Sequence, residues 1–173
     1  MEINSVNPPS SMGRRKLASP RTQLDRGNWI ENAIDVLAHD GVGGLRVEVL
    51  AKRCGVTKGS FYWHFKDRQD LLAAILEHWK EGRIRDIEKT TSVTPGKERE
   101  QLHFAIEVYG ASRNRKGMSI ELAVRDWARH DPQAATVVEA VDLYRLECTR
   151  KLFVAAGMSD AEAKSRSLLL YAC

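Results

Sequence analysis

The sequence predicts an all-α fold, with a small N-terminal helical domain followed by a helical C-terminal domain. Apolar residues recur every three or four positions along most of the chain, which is the period of helices packed on a core. No segment beyond residue 96 alternates between apolar and polar residues as a strand would. A Thr-, Pro- and Gly-containing break at 90–96 separates the two domains. With 43% hydrophobic residues among 173, the chain can bury a core.

The N-terminal segment, residues 1–23, is predicted to be a disordered basic arm because it is rich in Ser, Pro and Asn and carries Arg14-Arg15-Lys16. Such an arm either follows DNA phosphates or a minor groove, or is an untethered tail. The first helix is predicted over about 25–39 and ends at Asp40-Gly41. Its inward residues share a helical spacing: Ile30, Ala33, Ile34 and Leu37.

Residues 45–68, LRVEVLAKRCGVTKGSFYWHFKDR, predict a helix-turn-helix, with the motif itself over about 46–65. Gly55 follows the last apolar residue of the first motif helix, where a left-handed conformation costs glycine least. Thr57 is predicted to cap the second motif helix through its hydroxyl. Apolar residues of both helices point inward: Val47, Leu50, Ala51 and Cys54 from the first, and Phe61 and Phe65 from the second.

The Tyr62-Trp63-His64 run is predicted to be exposed, since three consecutive residues cannot share one buried face and the two phenylalanines already occupy it. The alternative is that these residues belong to the core. Residues 46–68 also hold six Lys or Arg against two acids, a net charge of +4 that equals the charge of the whole chain. A basic excess concentrated in one helix-turn-helix favours binding to DNA phosphates.

At LAKRCGVTKGSFYWHFKDRQDLL, residues 50–72, the chain resembles the tetracycline-repressor (TetR) family of bacterial transcriptional regulators. ELAVRDWARHDP, residues 121–132, resembles a segment found in one branch of that family, and the resemblance covers roughly 24–157. It implies a homodimer that binds double-stranded operator DNA and is released by a small-molecule inducer. Repression is the commoner mode in the family, and activation is the alternative that the sequence does not separate from it.

The resemblance also assigns roles within the motif. Thr57 would touch a phosphate, Lys58, Gly59 and Ser60 would face base edges or phosphates, and Tyr62 would bind a phosphate. Trp63 and His64 would contact the DNA backbone or a base, and Arg68 would bind a phosphate. Two positions depart from the family pattern. Arg46 replaces the usual Thr or Ser cap, and Glu48 either accepts from a cytosine amine or is a solvated charge at a helix N-terminus.

The C-terminal half is predicted to contain the rest of a long fourth helix, capped by Asp67 with Asp70 as its capping-box partner and reaching about Lys89, and four more helices. These span about 98–112, 117–130, 131–156 and 160 onward. The first is predicted to share one apolar face among Leu102, Ala105, Ile106 and Tyr109. The third is predicted to carry a heptad-like seam of Val137, Val141, Tyr144, Cys148, Leu152 and Ala155. The domains are therefore a DNA-binding domain at 24–83 and a ligand-binding and dimerisation domain at 84–173. Because the last helix stops within an apolar run at 171–173, we expect the sequence to be a fragment or a truncated regulator.

In this family a ligand pocket lies among helices four to seven, which makes five residues candidates for it: Trp79, Phe104, Glu107, Tyr109 and Trp127. A core position is the alternative for each aromatic residue. The sequence lacks GxSxG, P-loop, HExxH and dinucleotide-binding patterns, so we expect no enzyme, and its three cysteines suggest no cofactor or metal site. The chain has no membrane-length apolar run and no signal peptide, which predicts a cytoplasmic protein. A helical protein-interaction module without specific DNA binding is the rival function.

Overall fold

The computed structural model describes residues 24–110 and 115–172, and all regular secondary structure in those ranges is helical. A 3₁₀ turn, Val42–Gly44, follows the first helix. The helices are α1 (Arg26–Asp40), α2 (Val47–Arg53), α3 (Lys58–Phe61), α4 (Arg68–Thr91), α5 (Glu98–Gly110), α6 (Arg115–Ala128), α7 (Pro132–Ala155) and α8 (Asp160–Ala172). The predicted all-α class is confirmed. The predicted arm at 1–23 and the predicted end of the fifth helix at 111–112 lie outside the described residues.

Helices α1 to α3 form a small unit around one aromatic centre. The Asp25 carboxylate caps α1 by accepting from the Asn28 backbone N–H at 2.8 Å, and the Asn28 side-chain oxygen accepts from the Asp25 backbone N–H. These two bonds fix the start of the helix. Trp29 is fully buried and packs edge-to-face on Phe61 at 5.5 Å between ring centroids. Every residue predicted to point inward from α1 is buried: Ile30, Ala33, Ile34 and Leu37.

Helix α4 joins the two halves of the chain as one unbroken helix of 24 residues. Asp67 caps it by accepting from the Asp70 amide at 2.9 Å, as predicted. The predicted reciprocal bond of Asp70 is wrong, because its carboxylate accepts from the Lys66 amide instead of that of Asp67. The proposed domain boundary at 83/84 falls inside this helix, so α4 is shared by both halves.

The second half packs α4 against α5 and α7, and α7 against α6 and α8. Helix α6 also contacts α1, and Val124 and Trp127 belong to the same core cluster as Trp29, so the core runs through both halves. None of the helices in the described ranges has the length and apolar character that crossing a bilayer requires.

Two predicted helix faces in this half need correction. Along α7 the predicted seam places Tyr144 and Ala155 inward, but both are exposed. A heptad spacing drifts around a straight helix, so the buried face instead follows the residues Ala134, Val138, Val141, Thr149 and Leu152. On α5, Ile106 is exposed although Ala105 beside it is fully buried.

Candidate nucleic-acid interface

The turn between α2 and α3 is closed by backbone bonds on a left-handed glycine. Gly55 has φ of 67°, the Val56 amide donates to the Ala51 carbonyl at 3.0 Å, and the Gly55 amide donates to the Lys52 carbonyl at 3.2 Å. This pair of bonds satisfies the last carbonyls of α2 and sets the direction in which the chain leaves it. The prediction for Gly55 is therefore confirmed.

Thr57 occupies the N-cap position of α3 with extended backbone, but its hydroxyl accepts no capping bond. The predicted hydrogen bond is wrong, although the position is right. Helix α3 is only one turn long, and Tyr62 to His64 continue it as a turn. The exposed start of α3 therefore leaves amide groups available to another partner.

The aromatic run after α3 is divided between core and solvent. Phe61 and Phe65 are buried and stack on each other at 5.2 Å between centroids. Because they fill the core side, Tyr62 is 53% exposed and Trp63 is 87% exposed, which rules out the core alternative for these two residues. His64 is half-buried. The packing of Phe61 and Phe65 in the core thus leaves the side chains of Tyr62 and Trp63 exposed to water.

An ion pair joins the two motif helices. The Lys58 ammonium at the start of α3 donates to the Glu48 carboxylate in the first turn of α2, and both side chains are exposed. The hydrogen bond from Lys58 lowers the pKa of Glu48, and the same bond raises the pKa of Lys58, so both groups stay charged near neutral pH. The charge of Lys58, which is predicted to face base edges or phosphates, is therefore partly neutralised by Glu48.

Arg68 lies at the start of α4 and makes hydrogen bonds within the protein. Its Nε donates to the Leu45 carbonyl at 2.6 Å, and its Nη2 donates to the Val42 carbonyl at 2.9 Å. Both acceptors lie in the connection between α1 and α2. Arg68 therefore ties the start of α4 to the motif, with two of its three guanidinium nitrogens bonded within the protein.

Further cations surround the motif. Lys52, Arg53 and Lys66, which sequence reasoning counted as charge without assigning them to the site, are exposed, as is Arg46. Within the described ranges none of the four forms an ion pair. Arg46 stands at the N-cap of α2 without a side-chain capping bond, as its departure from the family pattern suggests. Among the other predicted contacts, Thr57 and Gly59 are exposed and Ser60 is half-buried.

A separate cavity of about 560 Å³ lies among α4, α5, α6 and α7. Phe104, Glu107 and Tyr109 line it, as predicted. Trp79 and Trp127 do not, since they are 5% and 4% exposed in the core cluster, so the core alternative is correct for both. Sequence reasoning missed five charged lining residues: Arg83, Asp86, Lys89, Glu121 and Arg145. No group of His, Cys, Asp or Glu in the described part of the chain could hold a metal ion.

A family model for bacterial regulatory proteins of the tetR family matches residues 30–75. That range runs from α1 into the first third of α4 and contains the whole helix-turn-helix described above. The helix-turn-helix region of the chain, residues 30–75, thus matches the TetR family. This is a family of regulatory proteins, in agreement with the lack of enzyme patterns in the sequence.

The similarity to curated regulators spans only part of each chain. The tetracycline repressor protein class A from transposon 1721 of Escherichia coli is 41% identical over 56 residues, which are 32% of this chain and 26% of that protein. The HTH-type transcriptional regulator AcrR of Shigella flexneri is 38% identical over 55 residues, with the same two coverages. The chain thus matches about a quarter of the length of these relatives.

The likeness to solved structures extends over both halves of the chain. A crystal structure of a transcriptional regulator from Saccharomonospora viridis in complex with choline superposes with a TM-score of 0.70. The match covers 85% of this chain and 79% of that one at 18% sequence identity. At this identity the likeness establishes the fold alone.

Proposed function

We propose that this TetR-family chain is a sequence-specific DNA-binding transcriptional repressor that leaves its operator when a small molecule binds. The observation that carries the proposal is the exposure of Tyr62 and Trp63 beside the cations of the motif. Large aromatic side chains that are exposed next to a buried aromatic core indicate a surface that contacts a partner. A surface that is both basic and aromatic fits the DNA backbone better than it fits an apolar protein partner.

The DNA contacts would divide between phosphates and bases. The Tyr62 hydroxyl and the free cations Lys52, Arg53 and Lys66 suit phosphates, which fix the register of the protein on the duplex. Lys58, Gly59 and the half-buried Ser60 lie in the first turn of α3, the part of a recognition helix that meets base edges in the major groove.

A homodimer would place two recognition helices on one operator. Half-sites on successive turns lie about 34–36 Å apart, which a single motif cannot span. Leucines on α7 and α8 remain exposed in the isolated chain, with Leu143 at 60%, Leu168 at 51% and Leu169 at 68% exposure. These side chains support pairing of α7 and α8 with a second copy, because such a contact would remove them from water.

Ligand control would act through α4. Arg83 and Ile87 of this helix line the cavity, and Arg68 at its other end holds the connection that precedes α2. Fifteen helical residues separate Arg68 from Arg83, a distance of about 22 Å along one continuous element. A ligand that displaces α4 at the cavity would therefore move the motif and change the separation of the two recognition helices.

The test uses a fluorescent duplex of the intergenic DNA upstream of the gene for this chain, hereafter the upstream duplex. The variant K58A/Y62A should lose its preference for this duplex over a scrambled one while its circular dichroism is unchanged. The control variant K97A/R99A removes two exposed cations from the start of α5, far from the motif, and should bind as the wild type does. Full binding by K58A/Y62A would contradict the proposed recognition surface.

The rival function, a helical protein-interaction module, makes a different prediction. Hydrophobic association depends weakly on salt, whereas neutralisation of phosphates releases counterions and weakens steeply as salt rises. The exposed leucines of α7 and α8 favour self-association, but they do not explain the exposed cations and aromatics of the motif. The DNA-binding function accounts for both surfaces, with bacterial chromosomal DNA in the cytoplasm as the partner.

A further inference from the structure

The cavity among α4 to α7 gathers buried polar atoms that have no partner. Tyr109 Oη, Glu121 Oε2 and Arg145 Nε are buried without a hydrogen bond, and all three residues line the cavity. A buried polar group without a partner is costly, so such atoms commonly mark a place that a ligand or water completes. Their clustering in one cavity points to a ligand with polar atoms at one end.

The charges of the cavity are unevenly matched. Glu121 already has cations beside it, since its Oε1 accepts from Arg125 at 2.8 Å and its Oε2 lies 3.9 Å from Arg83. Asp86 bonds to Arg83. Each of these carboxylates is therefore balanced within the protein.

Among the half-buried charged side chains that line the cavity, Arg145 has no opposite charge paired with it. It forms no ion pair within the described ranges, and Asp142, which lies within its electrostatic reach, accepts two bonds from Arg125 at 2.6 and 2.9 Å. Two exposed charged residues also line the cavity, Lys89 and Glu107, and they are opposite in sign. The uncompensated charge among the half-buried groups of the cavity is thus positive. An anion is the ligand that would balance it.

Tyr109 lies near Arg145 and can assist it. Burial raises the pKa of Tyr109, and the nearby Arg145 and the Thr149 hydroxyl oppose that rise only in part. The phenol therefore remains neutral at neutral pH and keeps its proton to donate. An arginine and a phenol that lie near each other in one cavity suit a carboxylate, which accepts several hydrogen bonds.

One part of the cavity wall is apolar, and the cavity is partly open to water. Phe104 is 42% exposed and Met118 is 46% exposed, and both line the cavity beside the buried Ile87. At about 560 Å³ the cavity has the size of a small-molecule site. A ligand with an apolar body would cover these side chains.

We propose that the ligand of this cavity is a small amphipathic carboxylate, bound at its charged end by Arg145 and the Tyr109 hydroxyl and along its body by Ile87, Phe104 and Met118. The release of DNA by this ligand rests on the proposed function, whereas its binding in the cavity does not. The binding of the carboxylate itself can be measured without DNA.

Titration calorimetry with three eight-carbon probes tests the charge. Octanoate, octanamide and octylamine share a chain and differ in the head group, so octanoate should bind at least about tenfold more tightly than either, as expected for a charge-assisted bond in a buried site. Tighter binding of octylamine, or equal binding of all three, would overturn the proposal. So would failure of both octanoate and 4-phenylbutanoate to bind below about 1 mM.

Variants then locate the head group. R145Q should weaken octanoate by at least about tenfold, Y109F by a smaller factor, and R145K should retain part of the affinity. R99Q removes one exposed cation on α5 outside the cavity and should leave octanoate binding unchanged. Undiminished octanoate binding by R145Q would overturn the assignment.

The upstream duplex separates this proposal from the proposed function. Octanoate should release the wild type from the duplex, and R145Q should bind the duplex but resist release. If octanoate binds through Arg145 and the chain does not prefer its upstream duplex, the carboxylate site stands and the repressor function fails. If the chain prefers the duplex and octanoate does not bind, the ligand assignment fails alone.

Discussion

Replacing Glu48 by Gln should make DNA binding tighter and more sensitive to salt. The Glu48 carboxylate pairs with Lys58 at the start of the recognition helix, and both side chains are exposed. A phosphate that approaches Lys58 must compete with this internal carboxylate. E48Q removes the competitor and also a negative charge that faces the DNA.

The size of the effect follows from counterion release. If Lys58 becomes free to neutralise one more phosphate, the slope of log K against log salt should steepen by about 0.9. Between about 50 and 200 mM salt, a slope that is steeper by this amount lowers the affinity about threefold more. The ratio of the E48Q affinity to the wild-type affinity should therefore shrink about threefold across this range.

Fluorescence anisotropy with the upstream duplex measures the slope directly. E100Q is the matched control, because Glu100 pairs with Lys97 at 3.9 Å on α5 and its replacement changes the net charge equally. Its slope should equal that of the wild type. An E48Q slope equal to that of E100Q would refute the competition between Glu48 and phosphate.

The same experiment decides the role of Glu48 that the sequence leaves open. If Glu48 accepts from a cytosine amine, E48Q should bind the upstream duplex less well and lose discrimination at one base pair. That result would refute the view that the carboxylate serves only to hold Lys58.

Four further predictions concern stability and assembly. G55A should lower the free energy of unfolding by about 1–2 kcal/mol in urea titrations, because Gly55 has φ of 67°; an unchanged midpoint would contradict this. A Cβ at Gly59 would make only an ordinary contact, 3.8 Å from the Thr57 hydroxyl oxygen, so G59A should leave stability within about 1 kcal/mol of the wild type, yet weaken binding to the upstream duplex; full affinity would show that the backbone does not approach DNA there. The hydrogen bond from the Ala134 amide lowers the pKa of Asp131 below its ordinary value of 3.8. The ionised Asp131 therefore stabilises the folded chain above that pH, and this contribution is lost as pH falls through the folded pKa. D131N should flatten that loss in acid denaturation, and a profile like the wild type would argue against it. L143E/L169E should yield a monomer by light scattering with native circular dichroism, and an unchanged mass would exclude pairing through these leucines.

The sequence was informative where the deciding interactions are local. Helical periodicity placed α4 within two residues of its end at Thr91, because that pattern is set by neighbours three and four residues apart. The left-handed Gly55 followed from its position after the last apolar residue of α2. The exposure of Tyr62 and Trp63 followed because Phe61 and Phe65 had already filled the buried side.

Interactions between distant residues were beyond this reasoning. Arg68 reaches carbonyls 23 and 26 residues away, and Lys58 meets Glu48 across the motif turn, so both depend on how the helices are packed. Trp79 and Trp127 show the same limit, since an aromatic residue at helical spacing fits a core and a cavity wall equally well. Only the packing of α4 and α6 places these two residues in the core.

The central claim, that the motif surface recognises DNA by sequence, is tested most directly by titrating the full chain with the upstream duplex and with a scrambled duplex of equal length and composition. Both titrations are run across a salt series. We predict tighter binding to the upstream duplex at every salt concentration, with both affinities falling steeply as salt rises. Equal affinity for the two duplexes, or affinity that does not respond to salt, would contradict the claim.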